Sequence, residues 1–120
     1  MGEYSKALEF YEKHLEITKI FLPPNHPDLA TSYNNIGGVY DSMGEYSKAL
    51  EFYEKSLKVR EISLPPNHPS LATSYNNIGT TYRGMGDHSK ALGIWRMSLP
   101  STHSNIKTAM NSIAAVNKKL

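Results

Sequence analysis

The residues best equipped for chemistry in this chain are two asparagine pairs, Asn34-Asn35 and Asn76-Asn77, set 42 residues apart within identical Tyr-Asn-Asn-Ile-Gly strings. A carboxamide offers one acceptor oxygen and two donor hydrogens, matching the alternating groups of a peptide main chain. Holding a backbone, with little regard to its sequence, is the chemistry such residues support. His26 and His68 occupy equal places in two copies of Pro-Asn-His-Pro. No second histidine or acid converges on them from that motif, so they read as caps of the helices that follow rather than as metal ligands. The chain has no cysteine, which excludes a disulfide framework, a thiolate metal site and a cysteine nucleophile. Its glycines serve turns or close helix contacts, not a phosphate-cradling loop. With no nucleophile, base or cofactor loop, the chain is not expected to be an enzyme, and neither cofactor nor metal is expected.

The 42-residue spacing extends to the whole chain. Residues 1–42 are written again as 43–84 with eleven differences, most of them within 14–21 and 38–42, and a degraded third copy opens at Met85. Self-similarity at such a period signals a solenoid, in which each unit packs only on its neighbours and the product is an extended surface. The net charge of +2 over 120 residues is spread across mixed Glu and Lys. It leaves no basic stripe to neutralise phosphates, so nucleic acid is not an expected partner. No apolar run approaches the roughly 20 residues that span a bilayer, and the N-terminus lacks the basic-then-apolar order of a signal peptide. Met1-Gly2 is followed by Lys6 where a myristoylation motif wants Ser or Thr. A soluble, cytoplasmic chain without membrane contact is the expectation.

The asparagines must be positioned by helices. From Pro27 to Met43, Leu29, Tyr33, Ile36, Gly37 and Tyr40 fall at the three-and-four spacing of one helical face. Asn25-His26-Pro27 marks the start, because proline at a first helical position gives up a donor that would be unpaired anyway. Gly44 marks the stop. Tyr46, Ala49, Leu50, Tyr53 and Leu57 then trace a second face until Leu64-Pro65-Pro66, where a residue before proline is pushed out of the helical region. The same reading predicts six helices, at about 4–21, 27–43, 45–63, 69–85, 88–98 and 103–118. No strand is predicted. The third copy has lost seven residues, about two turns, from its second helix. The last helix keeps Ile106, Met110, Ile113 and Ala114 but ends in Lys118-Lys119, as a cap with a polar outer face. The expected organisation is a single array: 1–24 a second helix without its first, 25–66 a full repeat, 67–101 a shortened repeat and 102–120 the capping helix.

Tyr33-x-x-Ile36-Gly37-x-x-Tyr40, followed by Gly44, Tyr46 and Ala49-x-x-x-Tyr53, resembles the tetratricopeptide pattern with tyrosine in the usual tryptophan slot. Tyr75, Ile78, Gly79, Tyr82, Gly86, Ala91 and Trp95 repeat it. The period is longer than usual and Glu61 replaces the closing proline, so the second helix runs on. With Tyr-Asn-Asn-Ile and Pro-Asn-His-Pro, the long period resembles the kinesin-light-chain-like subclass. That resemblance implies an all-α, right-handed superhelical solenoid of antiparallel helix pairs. It implies a protein or peptide partner, held in a concave groove lined by the first helix of each pair.

On a wheel of about 100° per residue, the face opposite Tyr33, Ile36, Gly37 and Tyr40 carries Thr31, Asn35, Gly38 and Ser42. The second copy places Thr73, Asn77, Thr80 and Gly84 there; the capping helix places Thr108, Ser112, Ala115 and Lys119. Asn34 and Asn76 sit at its edge. The expected groove is small, neutral and polar, suited to an extended or short helical peptide. By resemblance Asn35 and Asn77 would form a ladder to the bound backbone, while Gly38/Thr80 and Asp41/Arg83 would tune specificity. Clamps for a terminal carboxylate use Lys and Arg where Thr31, Asn34 and Thr73 stand here, which disfavours that partner. In the other reading the asparagines tie neighbouring helices together, and the chain is a structural or self-assembling segment of a longer array with no groove ligand. The tyrosines Tyr33, Tyr40, Tyr53, Tyr75 and Tyr82 belong to core stripes.

Met1-Gly2-Glu3-Tyr4 matches the turn at 43–46. The first helix is therefore expected to lack a partner for Tyr4, Ala7, Leu8, Tyr11 and Leu15, and to self-associate through that face. An exposed apolar patch of several hundred Å² is the mark of an interface.

Overall fold

The computed structural model describes residues 2–65 and 68–98. Five α-helices follow one another: α1 (Gly2–Phe21), α2 (Pro27–Ser42), α3 (Tyr46–Ser63), α4 (Pro69–Gly84) and α5 (His88–Ser98). The predicted positions hold to within two residues, and no strand occurs among the described residues. The sixth predicted helix, with Thr108 and Ser112, lies outside them.

Both hairpin turns follow from one glycine. Gly44 and Gly86 adopt φ of 79° and 84°, a left-handed conformation that any side chain would strain. The turned chain satisfies the last carbonyls of the first helix: Gly44 N–H donates to Asp41 O at 3.0 Å and Glu45 N–H to Tyr40 O at 2.9 Å, and Gly86 and Asp87 repeat both bonds. Three residues thus reverse the chain, so α2–α3 and α4–α5 are antiparallel pairs. The opposite ends are closed by Leu64, extended ahead of Pro65 at φ −122° and ψ 154°, and by the two histidines. His26 Nδ1 accepts from Asp28 N–H and His68 Nδ1 from Ser70 N–H, each at 3.1 Å. That is the predicted capping role, filled here by an imidazole in its Nε2–H form.

The core is strung along the array. Leu15, Leu29 and Ile36 form one buried cluster, Ala49, Tyr53 and Ile78 the next, and Ala91 with Trp95 a third. Each cluster joins helices adjacent in the chain, as a solenoid requires. Gly37 and Gly79 are the closest approaches: a Cβ on Gly37 would stand 2.8 Å from Cδ1 of Tyr53, and one on Gly79 2.7 Å from Cδ1 of Trp95. The small residue lets an aromatic ring of the second helix lie against the backbone of the first.

One expectation is corrected. Leu15 is only 9% exposed and packs with Leu29 and Ile36, while Leu8 and Tyr11 are half-buried against the same cluster. A second helix has two working faces, and the following first helix covers one of them. Leu8 and Leu15 do on α2 what Leu50 and Leu57 do on Ile78 of α4. Of the five residues assigned to a bare face, Tyr4 is exposed, and Ala7 is half-buried like Leu8 and Tyr11.

Candidate functional site

The first helices of successive units lie side by side, joined by their own polar side chains. Asn77 Nδ2 donates to Asn34 Oδ1 at 2.9 Å, linking α4 to α2. Nearer the start of α4, Arg60 of α3 donates to Ser74 Oγ at 2.7 Å and Ser70 O at 3.3 Å. Ser56 of α3, fully buried, donates to Ala30 O of α2 at 2.8 Å. These bonds let polar groups sit inside the array without the cost of an unpaired donor. The Asn77–Asn34 bond is the helix tie of the alternative reading of the asparagines; the serine and arginine ties were not legible from periodicity, because serine on an apolar stripe carries no signal of its partner.

Thr31, Asn35 and Ser42 are exposed on α2, as the wheel requires, and Thr73 is exposed on α4. Gly38, Asn34, Asn76, Asn77 and Thr80 are half-buried. The predicted residues do not form one continuous surface of equal character. Thr31 and Asn35 line a cleft of about 560 Å³ between α1 and α2, whereas Ser42 borders a separate depression with Tyr4 and Met43. Asn35 makes no side-chain hydrogen bond among the described residues. Asn77 spends a donor on Asn34, the Asn76 carbonyl faces Trp95 Nε1 at 3.4 Å, and the Thr73 hydroxyl folds back onto Pro69 O at 3.3 Å.

The expectation of a small, neutral, polar groove fails at the α1 wall. Phe10, Ile17 and Phe21 border the same cleft and are 67%, 58% and 77% exposed. Helical phase does not single them out, because they lie off the stripe of Tyr4, Leu8, Tyr11 and Leu15 expected to pack on a hairpin partner. The repeat carries a signal at two of the three: Ile17 and Phe21 stand where the second copy has Val59 and Ser63, whereas Phe10 and Phe52 are identical.

Charge is placed at the α2–α4 seam. Burial raises the Asp41 carboxyl above its ordinary value, and the Thr81 hydroxyl, 3.3 Å away, offsets this only in part. That hydroxyl has one proton, and Asn77 O at 2.9 Å is the nearer acceptor. Burial, and then the Asp41 charge, push the Tyr53 phenol up to about 12. Arg60 is lowered by burial. Among the described residues no group of three or more His, Asp or Glu side chains is placed to hold a metal ion, and no described helix is long and apolar enough to cross a membrane.

Residues 1–62 match the family model of the tetratricopeptide repeat, and residues 71–102 match a second tetratricopeptide repeat model. The fold is similar to the crystal structure of a Podosopora anserina protein described as a kinesin light chain with nearly identical TPR-like repeats. The TM-score is 0.68 at 21% identity, covering 98% of this chain and 59% of that one. A substituted form of the same Podosopora anserina protein gives 0.67 at 21% identity, covering 98% of this chain and 58% of that one. BtubC (BKLC) from P. vanneervenii gives 0.66 at 24% identity, covering 98% of this chain and 50% of that one. The chain therefore spans between half and three-fifths of the length of these three solved structures. No curated protein matches it. Two hairpins that each seat an aromatic ring on a glycine, and a family model that covers more than half of the sequence, lead to one assignment: the chain belongs to the tetratricopeptide repeat family.

Proposed function

We propose that the array holds an extended or short helical peptide along the open face of α2 and α4. Tetratricopeptide repeats generally mediate protein–protein interaction, and nothing in the residues of this chain supports catalysis. The observation that carries the finer reading is Asn35. Its carboxamide is exposed, makes no hydrogen bond among the described residues, and stands beside Thr31 in the α1–α2 cleft. On the α2 side of the cleft the short side chain of Thr31 lets a main chain come close, and the carboxamide pairs with it. Asn77 adds a second rung while still bonded to Asn34, since an amide has more than one donor.

The rival reading is a structural or self-assembling segment with an empty groove, favoured by the same Asn77–Asn34 bond. A peptide array probed with the labelled chain separates the two. Asn35→Ala with Asn77→Ala abolishes the captured spots while leaving the helical circular dichroism unchanged if the groove binds peptide. Undiminished capture by that variant assigns the asparagines to helix packing alone.

A further inference from the structure

The internal repeat shows what the α1–α2 cleft is shaped to receive. Phe10, Tyr11 and Asn35 around this cleft correspond to Phe52, Tyr53 and Asn77 around the equivalent cleft between α3 and α4. There the occupant is visible: it is α2. Phe52 stacks on Tyr40 with ring centroids 5.7 Å apart. Tyr53 lies against Gly37, and Asn77 donates to Asn34 at 2.9 Å. Filled in this way, Tyr53 is 5% and Val59 7% exposed, whereas Ile17, the counterpart of Val59, is 58% exposed.

From this correspondence we propose that the α1–α2 cleft is a docking site for an amphipathic helix of the first-helix type. That helix presents glycine or alanine to Tyr11 and asparagine to the free carboxamide of Asn35.

Three substitutions between the copies refine the occupant. Ser56 is fully buried and in contact with the backbone of α2 through its bond to Ala30 O. His14 stands in its place here, and a ring in that position holds a helix farther off unless the facing residue is glycine. Val59 and Ser63 become Ile17 and Phe21, which extends the apolar wall toward the C-terminal end of α1. Because the occupant runs antiparallel to α1, as α2 does to α3, that wall meets its N-terminal turn. The docked helix therefore carries apolar residues at its start, a small residue opposite His14 and the asparagine and glycine of α2 beyond. This goes beyond the peptide-binding reading, which needs no helix and extends onto α4.

The test is a titration of the isotope-labelled 120-residue chain with synthetic peptides, followed by NMR. The probe is the sequence of residues 25–43, alongside the same peptide with Ala30→Gly. Shift changes confined to the α1–α2 cleft are expected, with tighter binding of the Ala30→Gly peptide. His14→Ser in the chain should tighten the unmodified probe. Gly37→Leu in the peptide should weaken it about tenfold or more. Asn35→Ala in the chain should weaken binding about two- to tenfold, and Asn77→Ala should leave it unchanged. The proposal is overturned if neither peptide shifts cleft resonances of the His14→Ser chain at millimolar concentration. It is equally overturned if the Gly37→Leu peptide binds as well as its parent, or if the shifts map to α4. Those failures leave capture on the peptide array, and its dependence on Asn77, untouched.

Discussion

Trp95 fills the space that a side chain at residue 79 would need: a Cβ on Gly79 would stand 2.7 Å from Cδ1 of the indole. The ring is fully buried, so it cannot swing aside into solvent. Gly79→Leu therefore overpacks the α4–α5 contact and costs about 1 to 3 kcal/mol or more. Gly93 is the control, since a Cβ there meets nothing within 4 Å among the described residues and it sits within α5. Gly93→Ala should stabilise by up to about 1 kcal/mol through helix propensity alone. Urea unfolding of both variants decides it; a midpoint unmoved by Gly79→Leu would refute the packing.

The Asn77–Asn34 bond predicts coupling between two helices. Asn34→Ala and Asn77→Ala should each destabilise modestly, and a double-mutant cycle should show an interaction of about 0.5 to 1.5 kcal/mol. Asn35→Ala, with no bond to lose, should leave stability within about 0.5 kcal/mol. Additive effects at positions 34 and 77 would mean that the bond carries no free energy in solution.

Exchanging a residue between the copies tests the cleft comparison from the filled side. Ser56→His places the α1 residue where α2 already sits, against Ala30 O. The ring must displace α2 or leave its own rotamer, at a cost of about 1 to 3 kcal/mol or more. His14→Ser, in the open cleft, should be close to neutral. Equal melting temperatures for the two variants would show that the clefts are not equivalent.

Stability should fall on the alkaline side because of Tyr53. The unfolded chain releases this proton near pH 10 and the folded chain near 12. Between those values the unfolded state holds fewer protons, so the contribution present below the lower value is lost as pH rises through the higher one. Tyr53→Phe should flatten part of that decline in denaturation midpoints measured across the window. An unchanged slope would place the phenol in water.

Asp41 acts in the acid range with the same sign. Its raised carboxyl value means that the folded state binds the proton more readily, so this group adds stability as pH falls. Asp41→Asn keeps an acceptor for Thr81 and removes the buried charge. It should raise the melting temperature at pH 7, and that gain should shrink toward low pH. A gain independent of pH would point to hydrogen bonding rather than desolvation.

The repeat, the five described helices, the glycine turns, the histidine caps and the close helix contacts at Gly37 and Gly79 were all legible in the residues, though not the aromatic rings that make those contacts. The reason is that each is a local or nearest-neighbour matter: a three-residue turn, an N–H two residues on, one helix of a hairpin facing the other. Helical phase also placed Thr31, Asn35 and Ser42 on the exposed side correctly. What phase cannot tell is which neighbour a face meets, because Leu8 and Leu15 look as unpartnered on a wheel as Phe10 and Ile17 do. Only the tertiary structure assigned Leu15 to α2, bonded Asn77 to Asn34 across 43 positions of sequence, and left Phe10, Ile17 and Phe21 around an open cleft. Those outcomes depend on the lateral spacing of helices from different units, which close packing sets in three dimensions and no periodicity in one dimension encodes.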